Sequence, residues 1–109
     1  MTKEEYKSFW NKIIYFVDDF RREPVEDKLR EVNIENQMAA AFYAAVVEVL
    51  AKEKKMPVPK WVYHEKYYLK EPAFPGPLKG EYRILMMLET PLAFKTRNIF
   101  VGANILSRC

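Results

Sequence analysis

Five of the seven prolines in this chain of 109 residues fall between Pro57 and Pro77, and they divide it into two unlike halves. Each proline removes a backbone donor and disfavours helix at the residue before it. Long uninterrupted helix is therefore expected ahead of Pro57, and the segment PVPKWVYHEKYYLKEPAFPGP is expected to be irregular. The same segment holds Trp61, Tyr63, Tyr67, Tyr68 and Phe74, rings large enough to pack it against a core. A short helix over residues 60–68 fits inside it.

Ahead of the prolines the apolar residues repeat with helical period. Tyr6, Phe9, Trp10, Ile13, Ile14, Phe16, Val17 and Phe20 recur at spacings of three and four, which predicts a helix over residues 3–22. Thr2 and Glu5 have the spacing of a capping box, and Arg21 and Arg22 suit the negative end of the helix dipole. Pro24 is a helix-starting proline; with Val25, Leu29 and Val32 behind it, a short helix over residues 24–32 is predicted. Asn33 is placed to cap the next and longest helix, over residues 34–54, with Ile34, Met38, Phe42, Val46, Val49 and Leu50 inward. Its alanines (Ala39, Ala40, Ala41, Ala44, Ala45) make a smooth face for close approach, and Lys52, Lys54 and Lys55 match its C-terminal end.

Beyond the prolines, Gly80 opens a predicted helix over residues 81–89, with Tyr82, Leu85, Met86 and Leu88 apolar. Thr90 and Pro91 form an N-cap and first-turn proline for a further short helix over residues 91–97. Ile99, Phe100 and Val101 are expected to be extended, and Gly102 punctuates them. The expected fold is all-α, one domain over residues 1–109. In this small helical bundle the first helix lies antiparallel on the long one, a Pro/aromatic segment wraps them, and a packed C-terminal tail closes the bundle.

Size and charge narrow the function classes. A chain of 109 residues has room for one core, and half of it is of apolar type, which argues against disorder. The net charge of +3 is unevenly placed: ten Lys/Arg against eleven Asp/Glu up to Met56, then eight against four. The basic half permits attraction to phosphate or to an acidic protein face, but lacks the dense stripe of a dedicated nucleic-acid binder. Cys109 is the one cysteine, so no intrachain disulfide can form, and a free thiol fits a reducing cytosol. The N-terminus lacks the pattern of a signal peptide. The longest uncharged run, Asn36 to Val47, is twelve residues, too short to span a bilayer. A cytoplasmic chain without a membrane partner is expected.

Catalytic candidates are few. His64 is the one histidine and Cys109 the one cysteine, which excludes the usual zinc sets, and the cysteine, as the last residue, has no preorganised setting. Gly76, Gly80 and Gly102 are too scattered for a phosphate loop. In Asp18–Asp19 and Glu26–Asp27, neighbours on a helix diverge by about 100°. No enzyme activity, cofactor or metal is expected.

The tail, Thr90 to Cys109, alternates apolar residues with cations (Lys95, Arg97, Arg108), and so much apolar surface must dock on its own domain or on a partner. The string T-P-x-x-F-x-x-R-N-I-F-V-x-x-N-x-L-x-R, from Thr90 to Arg108, resembles the ending of small bacterial proteins of uncharacterised activity. These are often encoded beside a nucleotidyltransferase-like protein in a toxin–antitoxin-style pair. Pro59 to Val62 and Tyr67 to Phe74 are similar to their middle, so the resemblance covers roughly the C-terminal half. Some of those proteins carry a DNA-binding helix-turn-helix ahead of the tail; the first half here lacks the spacing of that module. The resemblance implies an antitoxin-like or accessory role.

Two binding modes follow. In the first, the chain binds a protein partner, a further copy of itself, or both. Phe94, Ile99 and Phe100 anchor that contact, and Arg97 and Asn98 fix its register; Met86 and Met87 add an adaptable apolar surface. In the alternative, a weak nucleic-acid module, Trp61 and Tyr67 stack bases while Lys60, Lys66 and Lys70 hold phosphates. The same rings have a plainer use as caps on the helical core, and Phe94 and Phe100 as core anchors.

Overall fold

The computed structural model describes residues 3–73 and 90–101, apart from the side chains of Lys3 and Tyr6. The cap residue Thr2, the helix expected over residues 81–89 with Met86 and Met87, Phe74, and the end of the tail from Gly102 to Cys109 lie outside the described residues. The fold is all-α.

Helix α1 spans Lys3–Arg22, as its periodicity predicts. Ile13, Val17 and Phe20 are buried along one stripe, while Tyr15 on the opposite side is exposed. The helix ends two residues before Pro24, with Arg21 and Arg22 in its last turn.

The helix expected over residues 24–32 is a single 3-10 turn, Glu26–Lys28. Of its three apolar residues only Leu29 is buried; Val25 and Val32 face water, so a helix there has little burial to offset the cost of nucleation. The irregular chain after it also has uses for its carbonyls. Leu29 accepts from the Trp61 indole Nε1 at 3.1 Å, and Arg30 accepts from the Tyr43 hydroxyl at 3.0 Å.

Helix α2 spans Gln37–Glu53, starting later than the expected residue 34. Asn36, not Asn33, is its N-cap: Asn36 Oδ1 accepts from the Ala39 amide at 3.0 Å. The run Gln-Met-Ala-Ala-Ala follows Asn36 directly, whereas Glu35 and Asn36 interrupt anything begun at Asn33. Nearly every residue from Ala39 to Ala51 is buried, all the way round the helix, so α2 is the axis of the domain. Phe42 lies at the centre, meeting Phe9, Trp10 and Phe94 edge-on with centroids 5.5, 6.1 and 5.1 Å away. The C-terminus closes with the Met56 amide on the Ala51 carbonyl (2.8 Å) and the Lys55 amide on that of Lys52 (3.1 Å). This is a Schellman motif, and it holds Lys55 at φ 56 where glycine is the usual occupant.

The expected antiparallel pairing of the first two helices is corrected by their contacts. Phe9 and Trp10 meet Phe42, and eleven residues further along each helix Arg21 grips Glu53 through two bonds of 2.9 and 3.0 Å. The helices thus run in the same sense. The long connection of residues 23–36, irregular apart from one 3-10 turn, carries the chain back to allow it.

After α2 the proline-rich segment forms two 3-10 turns, Lys60–Tyr63 and Glu65–Tyr67, in place of one helix over residues 60–68. His64 is the break: its backbone is extended (ψ 137), and its Nδ1 caps the second turn by accepting from the Lys66 amide at 3.2 Å. Trp61 stacks on Tyr43 with centroids 5.8 Å apart, and Val62 and Tyr67 are buried.

The tail docks on this frame. Helix α3, Leu92–Lys95, is one turn long with Pro91 as its N-cap. Thr90, expected to cap it, instead pairs with the backbone of Val101, donating to its carbonyl (3.0 Å) and accepting from its amide (3.1 Å). That pairing closes residues 90–101 into a loop. A second Schellman motif ends α3, with Asn98 at φ 63 and the Ile99 amide on the Phe94 carbonyl at 2.9 Å. The chain then runs alongside Ala73, which forms a parallel bridge with Ile99.

Candidate functional site

Arg97 is the buried charge that ties the tail to the domain. It is fully buried, an uncommon state for an arginine, and its guanidinium joins three elements. Nη1 donates to Glu48 Oε1 of α2 at 2.7 Å and to the Ala93 carbonyl of α3 at 2.7 Å; Nη2 donates to the Val62 carbonyl at 2.8 Å. Nε has no hydrogen-bond partner among the described residues, and the guanidinium carbon lies 4.8 Å from the centre of the Tyr68 ring. A cation over a ring face recovers part of what an unpaired donor loses.

Glu48 is the matching buried anion. Its other oxygen accepts from Lys52 Nζ at 2.8 Å, one helical turn on and towards solvent. Burial pushes the Glu48 carboxyl up, but the hydrogen bonds from Lys52 and Arg97 and their charges together hold it below its ordinary value. The Glu48 bond in turn raises the Lys52 ammonium, and the nearby Tyr63 adds to that to a lesser degree.

This arrangement corrects the expected partner anchors. Phe94, Arg97, Ile99 and Phe100 are all buried within the chain itself, and Asn98 is half-buried with its Nδ2 on the Leu69 carbonyl at 2.8 Å. The sequence signal brought together a real cluster, but it faces the domain's own core. An arginine in an apolar stretch looked like a register-setting surface charge because its counter-ion is 49 residues away.

The residues of the nucleic-acid alternative do not form a stacking platform. Trp61 is half-buried between Tyr43 and Tyr67, with its indole N–H committed to Leu29. Tyr67 is buried and its hydroxyl donates to Glu31. Lys66 Nζ pairs with the same carboxylate at 3.2 Å. Lys60 and Lys70 are exposed. The Tyr67 and Lys66 bonds, in that order, hold the Glu31 carboxyl below its usual range, while burial and then the Glu31 bond push Tyr67 up to about 12. Tyr43, desolvated beside it, is also raised to about 12. This group borders a cleft of about 490 Å³ between the α2 N-terminus and the second 3-10 turn, with Glu31, Asn33, Gln37 and Tyr67 in its walls.

What the tail and the adjoining Lys60–Tyr63 turn present outward is a different set of residues. Leu92 is 69% exposed and Tyr63 49% exposed, on the two short helices that Arg97 pins together. In α3, Leu92 and Lys95 are exposed while Ala93 and Phe94 point inward; in the first 3-10 turn, Lys60 and Tyr63 are exposed while Val62 points inward. Each turn therefore offers one apolar side chain and one lysine at positions three apart, which lie on one side of a helix. That spacing was available in the sequence, but which side faces water depends on Arg97.

Other expected surface groups fall as simple ion pairs: Asp18 with Arg22 at 3.1 Å and Asp19 with Lys28 at 3.1 Å. Among the described residues no three His, Cys, Asp or Glu side chains gather as metal ligands would, and no helix is long and apolar enough to cross a membrane. Set beside protein-family models, curated proteins and solved structures, the chain matches none.

Proposed function

We propose that the chain is a non-catalytic protein-interaction domain, the antitoxin or accessory subunit of a bacterial two-gene module. The observation that carries this reading is the pair Tyr63 and Leu92, exposed on two turns whose backbones are tied to one buried guanidinium. Single exposed apolar residues are ordinary on any surface. Two of them on a frame already fixed from beneath are preorganised, so a partner gains their burial with little ordering cost. Covering a leucine side chain alone contributes about 1.5–3 kcal/mol. The two-gene setting rests on the resemblance of the tail to small bacterial proteins of that kind.

The test is a pull-down from a bacterial host with a tag on the N-terminus, comparing the wild type with Leu92→Ser. A stoichiometric protein that survives moderate salt and is lost with Leu92→Ser is the expected result. Recovery of nucleic acid alone, or of the bare homo-oligomer, would refute the assignment.

A further inference from the structure

We infer that the face carrying Tyr63 and Leu92 docks an acidic protein segment, one that sets carboxylates against Lys52, Lys60 and Lys95 and apolar side chains against Leu92 and Tyr63. This rests on the proposed interaction role and names the chemistry of its partner.

Arg97 and Glu48 neutralise one another inside the domain, and Lys52, already bonded to Glu48, leaves that group with a net positive charge at the surface. Glu53, the next carboxylate on α2, is held by Arg21. Lys60 and Lys95 are exposed, and among the described residues neither meets a carboxylate. Three lysines thus border two apolar side chains, and among the described residues of α2 and these two turns both carboxylates, Glu48 and Glu53, are already paired.

The burial pattern keeps these residues on one face. Val62 and Ala93 point to the core and share the Arg97 guanidinium through their carbonyls, so the turns carrying Lys60–Tyr63 and Leu92–Lys95 lie side by side. Lys52 joins this group through Glu48, one of whose oxygens it holds at 2.8 Å while the other is held by Arg97 at 2.7 Å. A cationic rim around an apolar centre steers and orients an acidic partner, since opposite charges speed encounter and like charges exclude wrong partners. A second copy of the chain would bring lysines against lysines. A nucleic acid would find one exposed ring, Tyr63, and an aliphatic centre at Leu92 that offers it nothing to stack on.

The experiment uses the full chain. The protein captured in the pull-down, identified by mass, is titrated against the wild type, Lys60→Glu/Lys95→Glu, and Leu92→Ser, at low and at moderate salt. Both variants change exposed side chains only, and unchanged urea midpoints confirm that they fold. The expected result is about tenfold or greater weakening for the charge-reversed variant, with most of its salt dependence lost. Leu92→Ser weakens binding to a similar extent but keeps the salt dependence. Exchanging the partner's Asp/Glu for Lys restores binding to the charge-reversed variant. Full binding by Lys60→Glu/Lys95→Glu overturns the acidic-partner inference while leaving the interaction role standing. Material released by nuclease, or self-association that covers the same face, overturns it as well. Capture of nothing by the wild type removes the interaction role itself, and the inference with it.

Discussion

Replacing Arg97 by methionine removes the charge and all donors from the centre of the tail while keeping much of the side-chain length. Three bonds are lost, to Glu48, Ala93 and Val62, each of 2.7–2.8 Å. Breaking a buried pair by removing one partner costs about 3–5 kcal/mol, because the survivor is left charged and dry. Here Lys52 still holds Glu48 at 2.8 Å from the solvent side, which lowers that part of the cost. The Val62 carbonyl loses its Arg97 donor, at about 1–3 kcal/mol for a buried group left unsatisfied, while the Ala93 carbonyl keeps the Thr96 hydroxyl at 3.3 Å. These terms overlap, and about 3–5 kcal/mol is expected for the whole, a large part of the 5–15 kcal/mol typical of a small domain. With a urea slope of about 1–3 kcal/mol per molar, the unfolding midpoint falls by roughly 2 M. Trp61 fluorescence reports it, since that indole is stacked on Tyr43. Adding Glu48→Leu to Arg97→Met should recover part of the loss, because the uncompensated carboxylate goes too. A loss under about 1 kcal/mol for Arg97→Met, or a Glu48→Leu cost that adds in full, would falsify the view that this pair holds the tail.

Three further outcomes follow from the same geometry. Glu31 and Glu48 both have folded-state pKa values below the ordinary 4.5, so their stabilisation is fully present above that value and is lost as pH falls through the folded values. Urea midpoints taken stepwise from about pH 6 to 3 should drop, and the drop should be shallower in Glu48→Gln; an identical profile in that variant would remove Glu48 from the account. Tyr43 and Tyr67 are raised from 10.0 to about 12, so their contribution is complete below 10.0 and disappears as pH rises toward about 12. In that window unfolding in urea should raise the tyrosinate absorbance as Tyr43 and Tyr67 are released, and the rise should shrink in Tyr43→Phe. Lys55→Gly should raise stability by about 0.5–1 kcal/mol, since lysine at φ 56 bears a steric cost that glycine does not; a lowered midpoint would contradict the assigned backbone geometry.

The long helices were legible because their signals are local. In α1 the three-and-four spacing of Ile13, Val17 and Phe20 gives the buried stripe, and α2 is rich in strong helix formers from Gln37 onward. What was not legible depended on distant partners. Val25, Leu29 and Val32 have helical spacing, yet Leu29 and Arg30 leave their carbonyls to Trp61 and Tyr43. Thr90 and Asn33 both have good cap chemistry; Thr90 meets Val101 first, and Asn36 has the better-placed helix behind it. Propensity ranks what a residue can do locally, and tertiary bonds choose among those options.

Arg97 shows how the same limit reaches function. Its cation among apolar neighbours suggests an interface from sequence alone, because a buried arginine needs a counter-ion and none lies nearby along the chain. Glu48 supplies it from the middle of the central helix. Once that bond is made, Phe94, Ile99 and Phe100 must turn inward, since the one-turn helix that carries Phe94 is fixed at its Ala93 carbonyl. The residues left outside are then those at the complementary positions, Leu92 with Lys95 and Tyr63 with Lys60. The internal lock therefore determines which side chains a partner can meet. For that reason Arg97→Met should weaken partner binding as well as stability, although Arg97 itself is buried and touches no partner. Partner affinity measured below the variant's unfolding midpoint separates the two effects, and unchanged affinity there would show that Tyr63 and Leu92 keep their spacing without the lock.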